Sequence, residues 1–204
     1  MEMEFFHDVL CAWAYAFSPR MRLLVGEYPQ IEVIHRAFAL APERDSIHRM
    51  FGSRGKEEIL NHWRAANEND DEHRIRTDLM EKRDFPYPYS MPGLMACKSA
   101  EMLGGQKAHW DYFDRVQRAH LTEARNIADD RVLTDCAGDA GLDLTEFKKD
   151  FKSARARDAV LGDMKRAYEL GVDASPTIVI DGEHVMSGAQ RYEELKSFVA
   201  QFLN

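Results

Sequence analysis

Residues 4–19 read Glu4-Phe5-Phe6-His7-Asp8-Val9-Leu10-Cys11-Ala12-Trp13-Ala14-Tyr15-Ala16-Phe17-Ser18-Pro19. Phe5 and Phe6 give the run strand character, His7-Asp8 makes a polar turn, and Cys11 stands where a helix should begin. A thiol there has a physical use. The first N–H groups of a helix lack internal partners, and the aligned peptide dipoles place partial positive charge at that end. Both stabilise a thiolate, so a cysteine at a helix start can have its pKa lowered from about 8.5 to roughly 3.5–7.5. Cys11 is therefore the candidate nucleophile. The competing reading is a small buried hydrophobe, since free cysteine is among the most buried residue types.

Working outward, residues 2–7 read as a strand and 11–28 as a helix whose apolar stripe includes Leu23, Leu24 and Val25. Pro19 lies early in that helix and is expected to bend it, because proline removes a donor. Residues 31–40, IEVIHRAFAL, are rich in β-branched side chains and read as a second strand. A strand, a helix and a strand at this spacing suggest a βαβ unit with parallel pairing and a right-handed crossover.

From Pro42 the pattern turns helical. Helices are expected over 56–67, 72–82, 94–103, 108–121, 130–140, 145–152 and 157–170, with breaks at Gly104-Gly105 and Gly171. The stretch 85–93, with three prolines and three aromatics, is expected to be an ordered loop, either a lid over Cys11 or a packed connection. The tail returns to strands. Thr177–Ile180, the turn Asp181-Gly182 and Glu183–Met186 read as a β-hairpin, followed by a closing helix over 192–202. The layout is α/β, with residues 1–42 and 162–204 as one domain and 43–161 as an all-helical insertion.

Composition limits the function. The chain has 204 residues, 45% of them apolar, and a net charge of −8, which argues against nucleic acid or an anionic membrane as partner. No apolar run approaches the ~20 residues of a membrane span. The acidic start Met-Glu-Met-Glu does not resemble a secretory signal, so a cytoplasmic location is expected. Three widely spaced cysteines (Cys11, Cys97, Cys136) make no disulfide framework, and the eight histidines fit no metal-binding motif. Neither a metal nor a tightly bound cofactor is expected.

Four stretches carry a resemblance: Asp8-Val-Leu-Cys11-Ala-Trp13-Ala-Tyr15, Leu94-Met-Ala96-Cys97-Lys98, Gly171-Val-Asp-Ala-Ser175-Pro176-Thr177 and Ser187-Gly-Ala-Gln190. In order and placement they resemble the DsbA family, most closely its FrnE-like and 2-hydroxychromene-2-carboxylate isomerase-like branch. The sequence departs from that branch at Ala12 and Ala14, which stand for a proline and the second motif cysteine, and at Pro92, which stands for an asparagine. The resemblance implies a thioredoxin fold (βαβ…αββα) carrying the helical insertion, and a cis peptide bond before Pro176.

It further implies thiol–disulfide exchange through one cysteine. Cys11 would attack a disulfide or glutathionylated thiol, and an external thiol would release the product, since Ala14 cannot resolve the mixed disulfide. Trp13, Tyr15, Ser175 and Pro176 are the expected substrate contacts, with one of Trp13 and Tyr15 at the rim and the other in the core. Cys97, or less so Cys136, is the candidate for a replacement resolving thiol, against the reading of both as quiet core residues. Two other functions stay open: a glutathione-dependent isomerase or transferase of small aromatic molecules, and a redox-inert binding or chaperone-like module. The partners would be protein thiols and disulfides or glutathione, and a homodimer is compatible with the fold.

Overall fold

The computed structural model describes residues 1–203. Strand β1 (Glu2–His7), helix α1 (Ala12–Glu27) and strand β2 (Glu32–Ala37) form the βαβ unit, with β1 and β2 parallel and Phe5 opposite His35. After the inserted helices, α8 (Ala154–Glu169) leads to β3 (Thr177–Ile180), β4 (His184–Ser187) and α9 (Tyr192–Ala200). Strand β3 runs antiparallel to β1 and to β4, giving the sheet order β2-β1-β3-β4. This is the expected thioredoxin fold with a helical insertion.

Helices cover both faces of the sheet, so its central strands are apolar along their length rather than alternating. Met3, Phe5, Phe6, Ile178, Val179 and Ile180 are all fully buried. The β3–β4 turn needs two consecutive residues with positive φ to match the twist of the strands. Asp181 (φ 49°) and Gly182 (φ 74°) supply them, and Glu183 N–H closes the turn on the Ile180 carbonyl at 3.1 Å.

The insertion contains α2 (Ser46–Phe51), a 3₁₀ turn, α3 (Gly55–Asn69), α4 (Thr77–Glu81), α5 (Ser90–Leu121), α6 (Asp130–Asp139) and α7 (Leu144–Asp150). The sequence reading places no element over 46–54, where α2 and the 3₁₀ turn form, and the insertion departs from it at two further places. Residues 72–76 are not helical, because their N–H groups find tertiary acceptors. Arg74 N–H donates to Asp70, Ile75 N–H to Asn67 Oδ1 and Arg76 N–H to the Leu121 carbonyl. Helix α5 starts four residues earlier than expected, with Pro92 in its first turn, where a missing N–H costs no intrahelical bond. Gly104 and Gly105 interrupt α5 with non-helical dihedrals.

Helix α1 runs through Pro19 without ending there. The carbonyl that Pro19 leaves without a helix donor is that of Tyr15, and Arg74 Nη2 donates to it at 3.0 Å. Arg20, 2% exposed, joins the insertion to the β4–α9 connection: its guanidinium bonds Asp71 and Asn69 on one side and the Ala189 and Gln190 carbonyls on the other.

Candidate functional site

The turn between β1 and α1 is held by buried hydrogen bonds. The Asp8 carboxylate accepts from Leu10 N–H (3.1 Å), Leu40 N–H (2.6 Å) and the Ser90 hydroxyl (2.6 Å). Burial pushes the Asp8 carboxyl up to about 6 even though these donors favour its charged form. Cys11 then adopts extended dihedrals (φ −76°, ψ 106°) as the N-cap of α1, and its sulfur accepts from Ala14 N–H at 3.4 Å.

Across the turn, the Cys11 thiol donates to the Ser175 carbonyl at 3.2 Å. The Ser175–Pro176 peptide bond is cis. A residue at the end of α1's strand–turn entry thus meets a residue 164 positions later, just before β3.

The electrostatics differ from what position alone suggests. Cys11 is 4% exposed, and burial pushes its thiol up to about 11. The N–H of Ala14 pulls the other way, while the Asp8 charge adds to the rise. The helix start does not overcome desolvation. The direction is opposite to the lowered thiol that its position at a helix start implies.

A cavity of about 270 Å³ opens in front of the sulfur. Its floor is Leu10, Cys11, Ala12, Trp13 and Ser175; Ile47, Met50 and Phe51 of α2 and Ile59 and Trp63 of α3 wall it on the insertion side. His62 and Tyr87 complete the rim, and no Lys, Arg, Asp or Glu lines it among the described residues. Of the sequence-predicted residues, Cys11, Trp13 and Ser175 come together here.

Tyr15 does not join them, because its ring is buried in a second core with Leu60, Trp63, Met80 and Leu121. Its hydroxyl bonds Thr122 at 2.9 Å and the Arg74 guanidinium lies over its face. Pro176 is next to the site through Ser175 but does not line the cavity. From the 85–93 stretch only Tyr87 lines the cavity, its hydroxyl 3.0 Å from His120 Nε2, and Ser90 holds the turn through Asp8, so the stretch is a packed connection. Cys97 and Cys136 have no exposed surface and burial raises both thiols, which makes them core residues.

The α2 and α3 walls were not singled out from sequence. Ile47, Met50 and Phe51 do follow the i, i+3, i+4 spacing of one helix face, which was the available signal. Donors suited to a metal lie elsewhere: His7, His35 and His109, far apart in sequence, converge behind β1. Their scatter along the chain gives no sign of this convergence.

Comparison with known proteins shows the family and the fold. The family model described as DSBA-like thioredoxin domain matches residues 2–200. A ClpXP adapter protein SpxH of Halalkalibacterium halodurans is 31% identical over 188 residues, covering 91% of this chain and 60% of that protein. The chain therefore spans about three fifths of that relative's length. Two solved structures share the fold: a Nitrosomonas europaea protein described as a protein disulfide isomerase (TM-score 0.82, 19% identity, 98% and 96% of the two chains) and the cytosolic disulfide reductase DsbM of Pseudomonas aeruginosa (0.77, 21%, 99% and 98%). The latter has also been solved with GSH. No described helix is long and apolar enough to cross a membrane.

Proposed function

The chain belongs to the DSBA-like thioredoxin domain family, and on that premise we propose that it exchanges thiols and disulfides through Cys11 alone. The observation that carries this reading is the sulfur of Cys11 at the N-cap of α1, 3.2 Å from the Ser175 carbonyl, on the floor of an apolar cavity. In the first step the Cys11 S–H bond breaks and sulfur attacks a disulfide R–S–S–R′. A Cys11–S–S–R bond forms, the R–S–S–R′ bond breaks, and the proton leaves with R′S–H. An external thiol then attacks the mixed disulfide, releasing R joined to that thiol and returning Cys11–SH. Because residue 14 is alanine, this second thiol comes from outside, which favours a thiol-rich compartment such as the cytoplasm.

The lining sets the substrate class. Without a charged side chain in the cavity, the group beside the reacting sulfur is apolar or aromatic, and a glutathione co-substrate keeps its carboxylates outside the walls. The raised thiol supports a slow enzyme, with its proton handed over only when the substrate displaces the Ser175 contact.

A second reading rests on the same raised thiol and on the printed name of the 31% identical relative, an adapter. In it the cavity holds an apolar side chain of a protein partner and the sulfur does not react. One experiment separates the two. Turnover of a glutathionylated peptide bearing an aromatic neighbour, with glutathione as the external thiol, is expected for the wild type and lost in Cys11→Ser. No turnover at any pH between 7 and 10 overturns the exchange reading. Binding of the same peptide to Cys11→Ser with unchanged affinity then supports the second.

A further inference from the structure

His7 at the end of β1, His35 on β2 and His109 on α5 bring three imidazoles together behind the sheet. Each residue has no exposed surface, and one ligand nitrogen from each lies within 4.8 Å of the other two. Phe5, Phe113 and Trp110 pack around them. A buried imidazole needs partners for both ring nitrogens, and this cluster lacks them. His7 Nε2 and His35 Nδ1 share one hydrogen bond at 3.0 Å, which leaves His7 Nδ1, His35 Nε2 and His109 Nε2 buried with no partner.

The third ring is oriented as a ligand would be. The Glu101 carboxylate lies 2.7 Å from His109 Nδ1, so that nitrogen carries the proton and Nε2 presents a lone pair. A carboxylate on the far nitrogen of a metal-binding histidine fixes its tautomer and raises its basicity. Burial also pushes all three imidazoles toward the neutral form, the one that binds a metal.

We propose that His7, His35 and His109 form a buried binding site for a divalent first-row transition ion of the zinc type. Bonds of about 2.0–2.1 Å from imidazole nitrogens to such an ion hold tetrahedral ligand atoms about 3.3 Å apart. An ion held by His7 Nε2 and His35 Nδ1, now 3.0 Å apart, replaces the hydrogen bond between them and leaves His7 Nδ1 and His35 Nε2 as the protonated nitrogens, while His109 Nε2 closes the remaining gap by a side-chain adjustment. Lys98 Nζ sits 2.7 Å from the Glu101 carboxylate and opposes a cation, so affinity rests on the imidazoles rather than on negative charge. That selects zinc, cobalt or nickel over calcium or magnesium, which require oxygen ligands. Because the rings are sealed from solvent, the ion enters as the chain folds or during a local opening.

The test refolds the full chain from guanidinium with Co²⁺ or Zn²⁺ and strips loosely held ion on a chelating resin. The expected result is about one ion retained per chain, with Co²⁺ giving visible bands of nitrogen ligation and no thiolate-to-cobalt charge transfer. Glu101→Gln, which keeps all three rings, should weaken retention at least tenfold, and His109→Phe should abolish it. Retention below a tenth of an equivalent in the wild type overturns the site. Thiolate charge-transfer bands, or unchanged retention in a natively folded His109→Phe, overturn it equally, because the ion is then held elsewhere.

Discussion

The side-chain amide of Gln117 donates to the carbonyl of Cys11 at 2.9 Å and to that of Asp8 at 3.1 Å. Gln117 lies on α5, in the inserted helices, and is fully buried. The insertion therefore grips the turn that presents the thiol, rather than only roofing the cavity. Gln117→Leu removes both bonds but leaves each carbonyl a backbone donor, from Cys11 N–H and Tyr15 N–H, and should cost about 1–2 kcal/mol. Gln117→Glu turns a charged group toward two carbonyl oxygens and should cost about 3–5 kcal/mol. Urea titrations of the two variants check the order; an equal cost would mean that the amide is not holding the turn.

The contact between Arg74 and the Tyr15 carbonyl predicts a coupling across the same interface. Arg74 also pairs with Asp70, whose side chain is 2% exposed, at 2.6 Å. Arg74→Met should therefore cost about 3–5 kcal/mol, most of it from the carboxylate that keeps the residue-74 N–H but loses its cation. Pro19→Ala restores an N–H to the Tyr15 carbonyl and makes part of Arg74's role redundant. In the Pro19→Ala background the Arg74→Met cost should shrink by about 1 kcal/mol. A double-mutant cycle measures that term, and a value near zero would remove the link between the proline and the arginine.

The raised Cys11 thiol gives a pH dependence of definite sign. An acid whose pKa rises on folding, here from 9.0 to about 11, keeps its proton longer in the folded state. Its contribution is fully present below pH 9 and is lost as pH rises toward 11. The size is about 2–3 kcal/mol for a group this buried. Cys11→Ser, which does not titrate there, should show a shallower fall in stability between pH 8.5 and 10.5. Iodoacetamide should likewise label native Cys11 slowly at pH 7–8 and faster toward pH 10. Fast labelling at neutral pH would show that the helix start wins over burial after all.

What the sequence revealed about this molecule was local or periodic. The βαβ unit, the Asp181-Gly182 turn and the position of Cys11 at a helix start each follow from a few neighbouring residues. So does the break at Gly104-Gly105. What it hid was set by distant partners. Residues 72–76 carry a helical pattern, yet Asp70, Asn67 and Leu121 take their N–H groups. The two-residue spacing of Trp13 and Tyr15 puts one at the rim and the other in the core, but only Thr122 and Arg74 decide that Tyr15 is the core residue. The thiol's pKa needed both a helix start and a degree of burial, and only the first is written near Cys11. His7, His35 and His109 have no motif spacing because two strands and a helix bring them together.

Gly93 shows how closely α5 must approach the thiol-bearing turn. A Cβ on Gly93 would lie 2.6 Å from Val9 Cγ2, well inside contact distance, and Val9 is fully buried two residues before Cys11. Neither α5 nor the turn can retreat cheaply, since the Ser90 hydroxyl and the Gln117 amide tie both ends of α5 to Asp8. Gly93→Ala should therefore cost about 1–3 kcal/mol by overpacking, despite alanine's better helix propensity. Trimming the other partner with Val9→Ala opens room for the new methyl group, so the double variant should be more stable than the sum of the two singles by at least about 1 kcal/mol. Cys11 labelling rates in the same variants then report on the site, with Gly93→Ala faster than wild type if the displaced turn exposes the sulfur. Additive stabilities would show that α5 does not press on Val9, and that the turn owes its shape to Asp8 alone.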